Sequence, residues 1–318
     1  MESNAQPRRE SDVNIGLRLD GTRGVGGVRR FSHEAMATVF EVYASHPDGR
    51  YAAQAAQAAF DLVDRLEREL SRFLTNSDIA RVNLLAAGER TRVAPSTIEC
   101  LTIARHMFDL TGGVFDIAIG TGLPSLELDP AASVVHATQS GVRVDLGGIG
   151  KGYAVDLMAE VLEEWGIASA LVHGGFSSVL ALEPPPEGDG WPLTLSDPTV
   201  PSRVLERLSV SQTALGASGL RKGDHIVHPR TGEPVSGRIA AWVVVPRPRP
   251  GPSGGAGDAR PRMAAAAVTD ALTTACMLLD IGEIEQLCTR ADGLEVWILT
   301  AGDRPGEGQL RHLCGAPA

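Results

Sequence analysis

Apolar and polar positions along this chain follow two periods in turn. In "RFSHEAMATVFEVYA", starting at Arg30, they alternate by two, with Val39, Glu41 and Tyr43 on one face and Phe40, Val42 and Ala44 on the other. That pattern predicts a strand. Over residues 51–73 the period lengthens: Ala52, Ala55, Ala59, Leu62, Leu66, Leu70 and Phe73 recur at steps of three and four, opposite Asp64, Arg65, Glu67 and Glu69. This is the stripe of an amphipathic helix. "SDIARVN" reads as a short helical turn capped by Ser77. A further helix is predicted over 95–110, with Ile98, Leu101, Ala104 and Phe108 inward and Gly112 and Gly113 ending it.

Farther on, strand and helix signals interleave. "VRVDL" predicts a strand, "KGYAVDLMAEVLEEWG" a helix closed by Gly166, and "ASALVHGG" with "SVLAL" a hairpin or strand pair. "RLSVSQTAL" and "RIAAWVVVP" add strands. Helices over 265–279 and 283–290 precede the strand "LEVWIL". The sum is an α+β protein: one body over 29–301 of mixed sheets and packed helices. Residues 1–28 and 302–318 read as loose tails, and the Pro/Gly-rich segment 247–263 as a mobile inserted loop.

Composition narrows the partners. The chain has 318 residues, of which 43% are hydrophobic, enough for a large core, and its net charge of −10 disfavours a nucleic-acid or anionic-lipid surface. Any phosphate must then be met by local donors. No stretch approaches the roughly 20 apolar residues that span a bilayer. The N-terminal residues carry no signal-peptide core, which implies a cytoplasmic protein without membrane insertion. Cys100, Cys276, Cys288 and Cys314 are scattered, without zinc spacing or a dense disulfide pattern, and a reducing compartment fits.

Five segments carry candidate chemistry. Met36 in "AMATVF" is by type a core residue. Asp116 in "GGVFDIAIG" stands among apolar residues, so it either caps backbone N–H groups or meets a ligand donor. "VDLGGIGKGYAVD" places Asp145, a glycine cluster, Lys151 and Asp156 where a strand gives way to a helix, an arrangement suited to phosphate, although neither the Walker A nor the dinucleotide glycine pattern is met. "GDHIVHPRTGEPV" is a polar turn with His225 and His228, lacking the further ligands zinc requires. In "AVTDALTTACMLLD", Asp270 and Thr274 lie four apart on one helical face. They form either a hard-oxygen pair suited to Mg²⁺ or an intrahelical hydrogen bond.

Taken in order, "MAT", "SRF…SDIARVN", "GGVFD", "VDLGGIGKGYAVD", "HIVHPRTGEPV" and "TDALTTA" resemble the ApbE family of FAD:protein FMN transferases across nearly the whole body. The resemblance implies a T-fold-related body that takes FAD as substrate with Mg²⁺ and transfers FMN to a Thr or Ser hydroxyl of an acceptor protein, releasing AMP. It also admits an FAD pyrophosphatase, or a quiet FAD-binding protein. It further implies that Met36 and Phe73 line the flavin or adenine pocket, and that Val114, Phe115 and Asp116 continue it. Asp145 and Lys151 would hold FAD, while the Gly148 carbonyl, Asp270 and Thr274 would ligate Mg²⁺. His225, with Asp270, is the implied catalytic residue, organising the site or assisting proton transfer. Four departures stand out: Phe73 where tyrosine is common, His228 in place of an aspartate, Phe176 in place of a polar residue after "HGG", and a segment between Asp116 and Asp145 shorter than the family's usual one.

Overall fold

The structure, a computed structural model, describes residues 17–19, 27–118, 121–200, 202–219, 229, 232, 235–247, 264–291, 293–302, 304 and 307–314. Its strands are β1 (Leu17–Leu19), β2 (Val28–Ala35), β3 (Thr38–Ser45), β4 (Arg90–Arg92), β5 (Leu126–Asp129), β6 (Val134–Ala137), β7 (Ala170–Gly174), β8 (Ser178–Ala181), β9 (Trp191–Ser196), β10 (Val204–Val210), β11 (Thr213–Gly219), β12 (Arg238–Pro246), β13 (Glu295–Thr300) and β14 (Gln309–Leu313). The helices are α1 (Gly49–Leu70), α2 (Asp78–Val82), α3 (Pro95–Leu110), α4 (Gly150–Glu164), α5 (Ala265–Cys276) and α6 (Ile281–Cys288).

An eight-stranded antiparallel sheet, in the order β14-β13-β12-β11-β8-β7-β3-β2, carries both cores. Alternation along β3 explains why there are two. Phe40, Val42 and Ala44 face the helical layer with Leu66 of α1, Leu101 of α3, Met158 of α4 and Leu272 of α5. Tyr43 faces the other way, toward Leu171, Trp191, Trp242 and Trp297. That second core is closed by the small sheet β1-β9-β10, and β4-β6-β5 forms a third sheet. Among the described residues no helix is long and apolar enough to cross a membrane.

Several elements depart from the sequence expectation. The single strand from Arg30 is a hairpin, β2 paired with β3, because the chain reverses at Met36 and Ala37. No glycine or asparagine announces that turn. "VRVDL" forms no strand; Val144 makes one isolated bridge to Ala118. Both tails contribute to sheets, β1 against β9 and β14 against β13, so pairing begins before residue 29 and continues past 302. The helix expected to run to Phe73 ends at Leu70, which releases Ser71, Arg72 and Phe73. The segment 248–263 lies outside the described residues. Cys288 and Cys314 are joined in a disulfide across a Cα–Cα distance of 5.6 Å, whereas Cys100 and Cys276 are buried free thiols.

On the β3 face away from the helices, Glu41 is buried and accepts hydrogen bonds from Arg30 Nε, Tyr43 Oη and His173 Nε2, each at 2.8 Å. Burial pushes its carboxyl up, but these donors outweigh it and hold the pKa at about 2, below the usual 4.5. Stability from this group is therefore present above pH 4.5 and lost as pH falls toward 2. The loss is about 3 kcal/mol by linkage. Denaturant titrations across that window should show this acid limb in the native chain and lack it in Glu41→Gln; identical limbs would refute the assignment.

Candidate active site

A cavity of ≈ 300 Å³ opens where three backbone turns meet: Met36–Thr38 between β2 and β3, the exit of α1 at Leu70–Phe73, and residues 145–151 leading into α4. Gly175 and Ser177, from the turn between β7 and β8, complete its wall. Met36 and Ala37 have φ of 49° and 56°. These are left-handed values that two-residue hairpins usually give to Asn-Gly, and each costs an ordinary residue roughly 1–3 kcal/mol. The turn thus accepts strain to place a thioether at the cavity. Gly175 is required for a different reason: a Cβ there would overlap Thr38 Oγ1.

At the mouth, Phe73 is 78% exposed and the Arg72 guanidinium lies over its ring at 4.4 Å. Arg72 Nε also reaches Asp145 Oδ2 at 3.1 Å, while Asp145 Oδ1 accepts the Gly147 N–H at 2.9 Å. Asp145 is thereby oriented from both sides. The preceding peptide is held by Asn83, whose Oδ1 accepts the Val144 N–H at 2.6 Å and whose Nδ2 donates to the Val144 carbonyl at 3.0 Å. One side chain replaces the strand partner that "VRVDL" lacks. Asn83→Ala should cost about 2 kcal/mol, since both backbone groups lose a partner, and should weaken ligand binding through Asp145. A melting temperature unchanged from that of the native chain would sink this account.

Behind this wall the start of α4 meets α5. Lys151, in the first turn of α4, extends Nζ to 3.9 Å from Asp270 Oδ2 and 3.4 Å from the Gly147 carbonyl. The start of α4 lines the cavity, and a helix N-terminus with an ammonium beside it suits an anion. Asp270, buried on α5, accepts the Gly152 N–H on Oδ2 at 2.8 Å and the Ser178 hydroxyl on Oδ1 at 2.6 Å. Burial raises its pKa, against the opposing pull of Lys151, Ser178 and Gly152. Thr274 Oγ1 donates to the Asp270 carbonyl at 3.2 Å, so the intrahelical bond is present, yet the hydroxyl oxygen keeps its lone pairs. Gly148 sits against it: a Cβ added there would come within 3.4 Å of Thr274 Oγ1. The described residues contain no cluster of three or more His, Cys, Asp or Glu. What lies here instead is a carboxylate and a hydroxyl one turn apart on α5, with the Gly148 backbone against the hydroxyl, a hard-oxygen set whose chemistry fits Mg²⁺ rather than zinc.

The family model of ApbE matches residues 36–252, most of the chain. The chain belongs to the ApbE family. A FAD:protein FMN transferase of Vibrio cholerae is 23% identical over 253 residues, covering 67% of this chain and 75% of that one. The solved ApbE protein of Thermotoga maritima superposes with a TM-score of 0.74 at 20% identity, over 90% of this chain and 97% of that chain. The flavin transferase ApbE of Vibrio cholerae gives 0.73 at 18% identity, over 90% and 96%. Both share the fold.

In this ApbE-family chain the residues singled out in the sequence do not all meet in one cavity. Met36, Phe73, Asp145 and Lys151 line the one described above; Asp270 lies behind Lys151, and Gly148 sits against Thr274, outside that lining. Val114 and Phe115 are buried in the helical-side core, with the Phe115 ring against Gly148. Asp116 takes the backbone option: Oδ1 accepts N–H groups of Ala118 at 2.8 Å and Leu123 at 3.1 Å, and burial raises its pKa. It lines a second cavity, of ≈ 520 Å³, with Phe108, Thr121 and Gln139. Asp156 is no part of the cavity. Its oxygens accept the N–H groups of Ala266 and Ala267 at 3.0 and 2.8 Å, capping α5, and burial lifts its pKa to about 7. His225 and His228 lie outside the described residues.

Arg72, Asn83 and Ser178 escaped the sequence reading. Asn83 sits in a quoted motif, but its task becomes visible only with Val144 beside it. A serine opening an apolar strand carries no signal at all.

Proposed function

We propose that this chain transfers FMN from FAD to a Thr or Ser hydroxyl of an acceptor protein in a Mg²⁺-dependent reaction that releases AMP. The observation that carries the reading is Lys151, which lines a cavity with an exposed aromatic ring at its mouth and whose ammonium lies 3.9 Å from the buried Asp270 carboxylate behind it. Relatives named FAD:protein FMN transferase support the flavin-transfer part of this reading.

Chemically, the acceptor hydroxyl oxygen forms a bond to the FMN phosphorus as the bond from that phosphorus to the AMP oxygen breaks, and the hydroxyl proton departs. Positioning and charge neutralisation supply most of the acceleration in such displacements. Lys151, in the first turn of α4, binds and orients the diphosphate. Arg72 and Gly147 fix Asp145 for a donor group of FAD, and Phe73 and Met36 offer apolar surface to a ring. Asp270, Thr274 and the Gly148 carbonyl would hold Mg²⁺, which supplies charge neutralisation on the diphosphate oxygens when bound. His225 is assigned the departing proton.

Incubation with FAD, Mg²⁺ and a Ser/Thr-containing acceptor should yield an FMN-sized mass increase on the acceptor and one AMP per transfer. AMP with free FMN in the absence of acceptor identifies a pyrophosphatase instead. FAD binding without AMP release under any metal condition would eliminate both enzymatic readings.

A further inference from the structure

Asp270 belongs to α5, yet the groups holding its carboxylate come from elsewhere. One is the Gly152 N–H of α4; the other is Ser178, the first residue of β8. Across the sheet Ser178 is flanked in register by Gly174 of β7 and Gly216 of β11. Gly216 lets α5 rest on the sheet backbone, since a Cβ there would lie 2.6 Å from the Thr269 carbonyl oxygen. Ser178 is therefore the single hydroxyl in a row whose two neighbours have no side chain, and the helix above it delivers Asp270 onto that hydroxyl.

Ser178 is fully buried. It gives its one proton to Oδ1 while Gly152 fixes Oδ2, so two donors from different elements set the plane of the carboxylate. Each oxygen retains a lone pair for a cation. The turn preceding Ser178 is also constrained: Gly175 and Phe176 have φ of 61° and 56°, and the Phe176 ring lies 4.4 Å from the ring of buried His173. His173 is in turn bonded to Glu41. The Phe176 side chain, a departure from the family pattern, thus lies against the residue that anchors β7, while Ser177 lines the substrate cavity.

We infer that Ser178 is a positioning residue for Asp270: the β7–β8 hairpin aims the metal-binding carboxylate through this hydroxyl. The inference rests on the Mg²⁺ site proposed above. Groups that orient a metal ligand typically contribute 10- to 100-fold to metal affinity or activity.

Mn²⁺ serves as the probe, titrated by electron paramagnetic resonance into the full chain without FAD, at a temperature where circular dichroism shows all variants folded. The native chain should bind Mn²⁺, Asp270→Ala should not, and Ser178→Ala should bind about tenfold more weakly. In turnover, Ser178→Ala should lose kcat at low Mg²⁺, recover at high Mg²⁺ and keep the KM for FAD. A packing defect would not be repaired by the metal. Native-like Mn²⁺ affinity in Ser178→Ala, with binding lost in Asp270→Ala, overturns the positioning role and leaves the metal site standing. A native chain that binds no Mn²⁺ removes both.

Discussion

Asp270→Ala is expected to lower the rate of flavin transfer by about 10³-fold, because a bound cation contributes several kcal/mol of transition-state charge stabilisation and each 1.36 kcal/mol is tenfold in rate. The fold should survive. Removing this side chain leaves the Gly152 N–H and the Ser178 hydroxyl without their acceptor, which costs stability. It also removes a carboxylate whose burial raises its pKa, which offsets that cost. Lys151 keeps its carbonyl partner Gly147 and can still meet the diphosphate. The separation to look for is thus between chemistry and binding: AMP release nearly abolished, FAD still retained, and the melting temperature close to that of the native chain. Near-normal AMP release at limiting Mg²⁺ would refute the metal assignment.

Gly152→Ala should be the most damaging glycine-to-alanine change among the described residues. A Cβ at this position would overlap the carbonyl oxygen of Ala266, with the Ala267 nitrogen 2.8 Å away. All of these are backbone atoms, so no side chain can rotate aside. Alanine favours the helix by about 1 kcal/mol over glycine, but that gain is outweighed. Overpacking alone costs about 1–3 kcal/mol. Separating α4 from α5 also breaks the Gly152 bond to Asp270 and the Asp156 bonds to Ala266 and Ala267. A net loss of about 4 kcal/mol, or about 10 °C in melting temperature, should appear together with weakened metal binding. A variant that melts within 2 °C of the native chain (about 1 kcal/mol) would show that the helices yield more easily than their contact implies.

How far the sequence foretold this depends on the range of the signal. Local periodicity was enough for α3, expected over 95–110 and found at Pro95–Leu110, and for α2 with its Ser77 cap. It also placed Asp270 and Thr274 on one face. It failed where the decisive partner was remote. Met36 reads as a strand residue because a Met-Ala pair carries no turn chemistry; only the pairing of Ala35 with Thr38 reveals the reversal. Val144 reads as a strand residue too, but its partner is the Asn83 side chain, 61 positions away. Asp156 reads as a partner of Asp145 at one strand-to-helix junction, although the first turn of α5, 110 positions on, claims it. The tail after 302 is polar enough to look loose, yet it pairs along β13 and is tied to α6 through Cys288 and Cys314.

The exchange between α4 and α5 has a consequence for how the molecule opens. The first turn of α4 gives an N–H to a carboxylate of α5, and the first turn of α5 gives two to a carboxylate of α4. Neither helix start is satisfied until the other is in place, so neither can fray by itself. Because α5 also rests on the sheet backbone at Gly216, the amides of this α4–α5 junction should exchange with solvent only when the central sheet unfolds with it, while the exposed rim at Phe73 exchanges freely.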